Sequence, residues 1–296
     1  MDINRVLAEE FSIKLGQVES TVKLIDEGNT IPFIARYRKE MTGSLDDIVL
    51  RNLFERLTYL RNLDEKREQV RNLIEEQEKL TDEISLALDK AITVTEIDDI
   101  YRPFRPKRRT RATIAKEKGL ESLANEIMMQ LTKEPVEKIA EKYVDANKEV
   151  NTVEDALIGA KDIIAEMVSD DADYRAIIRK MTYNEGLIAT KATDETTESV
   201  FEMYYDYSEP VKKLPSHRIL AINRGEKEKV LSVKIEAPIE NILKKIENKI
   251  IRDNKYTTDI LKEAIEDSYK RLIAPAVERE IRNDMTEKAE ESAIKV

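Results

Sequence analysis

SLDDIVLRNLFERLTYLRNLDEKREQVRNLIEEQEK, residues 44–79, reads as one long helix. Leu45, Ile48, Val49, Leu53, Leu57, Leu60 and Leu63 recur at spacings of three and four, which lines one side of a 3.6-residue helix. Gly43-Ser44 opens the run. Ser44, with Asp47 three residues on, makes a near-capping box whose acid also complements the helix dipole. Asp64 to Gln69 is wholly polar before Val70, Leu73 and Ile74 resume the stripe. A helix from Ser44 to about Lys79 would be roughly 50 Å long at 1.5 Å per residue. Its polar middle predicts a passage through solvent between two packed ends, so the helix is expected to act as a spacer or arm.

Composition points the same way. The 296 residues are 41% hydrophobic and 37% charged, with 7 Gly and no Trp. A chain so rich in Glu, Lys, Leu, Ile and Ala favours helix, because these side chains lose little freedom there. The length suits one large domain or two ordinary ones. With no Cys, disulfides, thiolate metal sites and cysteine nucleophiles are excluded. No apolar run approaches the ~20 residues that span a bilayer, and Met1-Asp2-Ile3-Asn4-Arg5 has no signal-peptide design. The expected location is cytoplasmic, with no membrane contact. A net charge of -10 argues against wholesale coating of nucleic acid and confines any such contact to local basic patches.

Working outward from the long helix, residues 2–14 and 17–27 carry helical apolar stripes, and Gly28-Asn29 stops the second. Pro32 suits the first turn of a short helix over 33–37. These three helices are compatible with a helix-turn-helix-like bundle. On the other side, helices are predicted over 81–91 and 95–101, the latter capped by Thr95 with Asp98. More follow over 120–131, 135–143, 153–167 (capped by Thr152 with Asp155) and 173–183. Composition shifts near Gly186. Residues 187–191 suit a short strand, 200–207 a strand or a helix, and 230–235 alternates as a strand does. Helices return at 238–253 and from 258 onward, with Pro275 starting a new helix or kinking the old one. That last pattern runs to Val296 with no C-cap, as if cut through an element. The expected fold is mainly α: an irregular multi-helix array with a helix-turn-helix-like part, one long helix and a small β element near 187–235. The expected division is 1–185 and 186–296.

Two basic clusters stand out. Arg36, Arg38 and Lys39 fall near a helix end, where cations complement the dipole. Phosphate contact and an interdomain salt bridge, with Glu40 at hand as a partner, are the other readings. From Arg102 to Lys118 there are eight basic residues and one acid, Glu117. Arg105, Lys107, Arg108, Arg109 and Arg111 form its centre, with Phe104 as an exposed aromatic. Pro103 and Pro106 fix φ and remove two donors, so the segment is expected to be rigid and extended. It suits a loop that neutralises acids such as Asp98 and Asp99, a phosphate-facing element, or a dock for an acidic partner.

Other chemistry is sparse. Asp98-Asp99 and Asp170-Asp171-Ala172-Asp173 read as solvated helix ends, because a hard cation needs converging oxygens. Ser216 reads as a helix cap and His217 as a buried or interfacial hydrogen bonder, since adjacent residues do not make a nucleophile–base pair. Arg218 and Arg224 suit interface salt bridges, with weaker phosphate candidacy shared by Lys212 and Lys213. No phosphate-cradling glycine loop and no zinc spacing occurs. Neither enzyme activity nor a cofactor or metal is expected.

Three segments together carry a family resemblance: GNTIPFIARYRKEMTG at 28–43, YRPFRPKRRTRATIAKEKGLESLA at 101–124 and PSHRILAINRGEKEKVLSV at 215–233. In this order they resemble the bacterial Tex family of transcription accessory proteins. The resemblance implies a mostly helical N-terminal region with a helix-turn-helix-like part. It also implies downstream RNase H-like, helix-hairpin-helix and OB-fold RNA-binding domains, whose opening strand is not reached by Val296, so an N-terminal fragment is expected. The implied function is a helical scaffold with sequence-independent RNA or DNA contacts through Arg36, Arg38, Lys39, Arg105, Lys107, Arg108, Arg109, Arg111, Arg218 and Arg224. Similarity extends to a eukaryotic elongation factor that binds histones and RNA polymerase. The alternative is therefore a protein scaffold that docks the C-terminal domains or the transcription machinery.

Overall fold

A computed structural model describes residues 1–294 and divides the chain into two compact units, Met1–Phe104 and Arg105–Val296. Lys295 and Val296, the last residues of the predicted uncapped end, lie outside the described residues.

Unit 1 is helical throughout: α1 (Ile3–Phe11), α2 (Leu15–Asp26), α3 (Ile31–Tyr37), α4 (Lys39–Thr42), α5 (Asp47–Glu76), α6 (Asp82–Lys90) and α7 (Val94–Tyr101). Five of its seven helix starts are set by short polar side chains that accept from N–H groups lacking an intrahelical partner, while α2 and α4 start without one. Thr30 accepts from Phe33, Thr81 from Ile84 and Thr93 from Glu96. Two predicted caps move. Gly43 and Ser44 both adopt positive φ (68° and 64°), whereas a cap needs an extended backbone. Asp46 supplies that conformation and accepts from Val49 at 2.8 Å, so α5 starts after it. Likewise Thr93, not Thr95, caps α7, and the Glu96 carboxylate reaches back to the Ile92 N–H.

The spacer reading of the long helix does not hold. α5 has 30 residues, about 45 Å at 1.5 Å per residue. Leu50, Leu53, Leu57, Leu60, Leu63, Arg67, Val70 and Ile74 are buried along its whole length, while Ile48 is exposed. The polar middle is packed because Arg67, only 4% exposed, takes a core position. Its Nε donates to Leu88 O (2.8 Å) and one terminal nitrogen to Ala91 O (2.7 Å); the other meets Asp64 at 2.6 Å. Those carbonyls close α6, where orphan acceptors and the negative dipole end favour a cation. The guanidinium thus joins α5 to α6 at the point where an apolar side chain would leave Ala91 O without a donor and Leu88 O with only the Ala91 N–H.

Unit 2 holds α8 (Arg111–Glu117), α9 (Glu121–Met129), α10 (Val136–Ala140), α11 (Val153–Asp170) and α12 (Ala172–Glu185). Then come β1 (Leu187–Ala192), β2 (Asp206–Pro210), α13 (Ser216–Lys227), β3 (Leu231–Glu236), α14 (Ile239–Ile250), α15 (Thr258–Asp267) and α16 (Ala274–Ile294). The strands form one antiparallel sheet in the order β2-β1-β3, with Leu187 opposite Pro210 on one side and Glu236 on the other. The protein is mainly α with this one small β element. The ambiguous 200–207 stretch resolves into a 3-10 turn, Glu202–Tyr204, and the start of β2.

A continuous apolar core joins Ile163 and Ile164 of α11 to Ile188 of β1, Ile235 of β3 and Ile281 of α16. The composition shift near Gly186 therefore marks a change of secondary structure inside unit 2. α11 starts on a Thr152–Asp155 capping box, as the sequence predicts. It is the axis of the unit, and Gly159 lets α8 close on it: a Cβ there would stand 2.3 Å from Leu120 Cδ1 and 3.3 Å from Ala115 Cβ. Pro275 is the second residue of α16, so a new α-helical stretch does begin there, reached from α15 without a break in the chain's helical course. The missing N–H and the bulk of the ring are absorbed by a π-helical turn, Ser268–Ile273, between α15 and α16.

Candidate nucleic-acid interface

The first basic cluster occupies the α3–α4 corner of unit 1. Pro32 sits in the first turn of α3, and the helix ends at Tyr37 after two turns. Arg36, Arg38 and Lys39 are exposed there. The Arg38 guanidinium lies 5.0 Å from the Phe33 ring centroid and donates to Tyr37 O at 3.0 Å. The Phe33 and Tyr37 rings pair at 5.2 Å, tilted by 47°, and Tyr37 is 59% exposed. Among the described residues, no carboxylate stands within salt-bridge distance of Arg36 or Lys39. The corner is held by Gln17 of α2, whose Nε2 donates to Thr42 O and Gly43 O at 3.1 and 3.4 Å. Gly43 is required for this: its φ is +68°, and a Cβ would meet the Gln17 amide at 2.3 Å.

The second cluster departs from the rigid extended segment that its prolines predict. Arg102–Phe104 form a 3-10 turn, and residues 105–110 run without regular structure into α8. Thr110 starts α8 through a capping box with Thr113. Phe104 is half-buried against the unit 1 core, because a ring of that size has more to gain from apolar contact than from water.

The cations of the second cluster are partly spent within unit 2. Lys107 pairs with Asp170 and stands 3.6 Å from Glu166, while the Thr110 hydroxyl meets Glu166 at 3.2 Å. Arg109, 69% exposed, meets Glu117 at 3.2 Å. Arg108 and Arg111 are exposed and have no carboxylate within salt-bridge distance among the described residues. Asp162, Glu166 and Asp170 form an acidic stripe, one residue per turn of α11, against the docked segment. Sequence reading missed this stripe, although its four-residue spacing is visible in the chain.

Asp162 is the stripe's inner end. Burial raises its pKa, and Arg271, at 3.9 Å, and Arg111 oppose that only in part. A raised carboxyl pKa means that the unfolded chain releases the proton first. This site therefore subtracts stability as pH rises from the unfolded toward the folded value. Asp162→Asn is expected to raise the thermal midpoint at neutral pH and to flatten that slope. A lower midpoint in the variant would mean that ion pairing outweighs burial.

The third group divides between β2 and α13. Arg218 donates to the Tyr207 hydroxyl (2.7 Å) and Glu209 (3.1 Å), and its guanidinium is 5.7 Å from the Tyr207 ring centroid. The Tyr207 and Glu209 bonds raise the pKa of Arg218, and Glu209 is held below the ordinary carboxylate value first by the Tyr207 hydroxyl, which donates to it, and then by Arg218. Arg224 pairs with Glu228 one turn on, at 2.9 Å. Both are salt-bridge formers inside unit 2. Ser216 is the first residue of α13 and makes no cap; Pro215 holds the extended cap position. His217 is exposed rather than buried, because the start of α13 turns it to solvent.

Among the described residues no group of three or more His, Asp or Glu is placed to hold a metal ion, and no helix is long and apolar enough to cross a membrane. Asp171 caps α12, accepting from Tyr174.

Residues 1–75 match the family model of the Tex-like protein N-terminal domain, and residues 130–296 that of the Tex central region. The chain is 45% identical over 298 residues to the uncharacterized protein YdcI of Bacillus subtilis, across 99% of this chain and 41% of that protein. It is 38% identical to the transcriptional accessory protein Tex of Neisseria gonorrhoeae, across 80% of this chain and 31% of that one. It is 29% identical to the human S1 RNA-binding domain-containing protein 1, across 99% and 31%. The chain thus spans about two fifths or less of these relatives.

Proposed function

The chain belongs to the Tex family, and from that we propose that it is a non-enzymatic, cytoplasmic helical module of a transcription accessory protein that holds nucleic acid weakly by its phosphates. The names of its relatives, transcriptional accessory and RNA-binding, support the class. One observation carries the finer reading. In a chain of net charge -10, Arg36, Lys39 and Arg108 stay exposed without a carboxylate partner among the described residues, and Arg111 is exposed beyond salt-bridge distance of Asp162. A cation left in that state is available to a phosphate and contributes affinity by releasing counterions. Lys107, Arg109, Arg218 and Arg224 are weaker candidates, since a phosphate must compete with the carboxylate each already holds. Arg38 sits between the two groups.

The test is binding of labelled RNA and DNA by the whole chain across a salt series. Affinity is expected to fall as salt rises, with a log–log slope of about −1.5 to −3.5 if two to four phosphates are engaged. The combined variant Arg36→Glu, Lys39→Glu and Arg108→Glu removes no ion pair of the fold and is expected to abolish that binding. Absence of salt-sensitive binding in the unaltered chain would overturn the reading.

A protein-docking scaffold is the second reading. It is favoured by exposed apolar side chains such as Val200 and Met203 beside the sheet. In it, the same cations would meet acids of RNA polymerase or of another transcription protein.

A further inference from the structure

We propose that the α3–α4 corner is a single-strand site, in which a base stacks on Tyr37 while Arg36, Arg38 and Lys39 take the flanking phosphates. The inference rests on the phosphate-binding reading above and adds which patch is used and which form of nucleic acid it accepts.

Duplex recognition by charge alone needs no aromatic ring, and an exposed ring has no base face to meet while the bases stay stacked and paired. Single strands expose those faces, and proteins that track them combine a cationic groove with aromatic platforms. The α3–α4 corner has both. Tyr37 ends α3 with 59% of its surface in water, so its ring face is open to a base. Phe33 backs it at 5.2 Å, and Arg38 stacks on Phe33 at 5.0 Å, so an aromatic–guanidinium shelf already exists without ligand. Met41, also exposed, adds apolar surface one turn on. From Arg36 to Gly43 three cations stand against a single acid, Glu40. That local charge opposes the sign of the whole chain and fits a polyanion rather than an apolar or basic partner.

The corner is also braced. The left-handed Gly43 and the Gln17 amide fix α4 against α2, so little ordering entropy remains to be lost on binding. The second cluster lacks this combination, since Phe104 turns inward and Lys107 is already paired.

The test is fluorescence anisotropy of the whole chain at low salt, with a labelled oligouridine, an oligothymidine and a DNA duplex of equal length. Tyr37→Ala is expected to weaken both single strands about tenfold, the scale of losing one stacked base. It is expected to leave the duplex and the thermal midpoint unchanged. Tyr37→Phe keeps the ring and is expected to restore single-strand affinity. If Tyr37→Ala has no effect while Arg36→Glu with Lys39→Glu weakens binding, stacking is overturned and the phosphate reading survives. Equal losses on single strands and duplex overturn the single-strand preference. If neither variant alters a clear salt-sensitive affinity, the corner is not the site. If the unaltered chain binds no nucleic acid, both readings fall and a protein partner is left for the corner.

Discussion

Arg67→Ala is expected to cost roughly 3–5 kcal/mol of stability, the range found when one partner of a buried charged contact is removed. The loss has three sources that act together. Asp64 loses its guanidinium, Ala91 O loses its donor, and Leu88 O keeps only the Ala91 N–H at 3.3 Å. A buried acceptor left bare costs about 1–3 kcal/mol by itself. The side chain also leaves a void in the α5 stripe that its neighbours cannot fill without shifting. Arg67→Lys keeps the charge but not the fork, so it is expected to recover only part of the loss. Urea unfolding of the whole chain, followed by helical circular dichroism, measures both. A midpoint unchanged in the alanine variant would mean that water reaches those carbonyls and that the middle of α5 is not part of the core.

Gly159→Val is expected to destabilise unit 2 by about 2–3 kcal/mol, toward the upper end of overpacking costs. Two effects oppose each other. Valine is the better helix former, by a few tenths of a kcal/mol over glycine. Against that, its Cβ alone would stand 2.3 Å from Leu120 Cδ1, with Ala115 Cβ at 3.3 Å on the other side. Sterics win by magnitude. The consequence is local as well as global, because α8 must back away from α11 and take Thr110 and Lys107 with it. Limited trypsin digestion is expected to cut sooner within 105–118, alongside a lower denaturation midpoint. Unchanged digestion with a lowered midpoint would place the relaxation on the Leu120 side instead.

These two residues show where sequence reading carries and where it stops. The apolar register of α5 is legible because it repeats, but Arg67 interrupts it with a charge. Only the α6 carbonyls, supplied from 21 and 24 residues away, reveal that the charge is internal. A polar interval therefore reads as solvent when it is core. The small sheet divides in the same way. β1 and β3 follow from their apolar content and alternation, whereas β2, Asp-Tyr-Ser-Glu-Pro, is a polar edge strand defined by its partner. Cap positions depend on φ, which residue type constrains only loosely, so Thr152 is placed correctly while Ser44, Thr95 and Ser216 are not. The cationic residues of the site are plain in the chain. What each cation faces is not, since Lys107 and Asp170 are 63 residues apart.

The threonines at the helix starts have one more consequence. Thr30, Thr81, Thr93, Thr110 and Thr152 each accept with a hydroxyl that does not titrate. A carboxylate would cap these helices as well, but in a chain already at -10 each one would add to the self-repulsion that loosens compact states. The hydroxyls themselves are therefore anchors that neither acid nor salt can discharge or screen, while α11 alone among these five adds a capping-box carboxylate, Asp155, that accepts from the Thr152 N–H. Amide exchange at Phe33, Ile84, Glu96, Thr113 and Asp155 should accordingly keep its protection across buffers in which the surface ion pairs come and go.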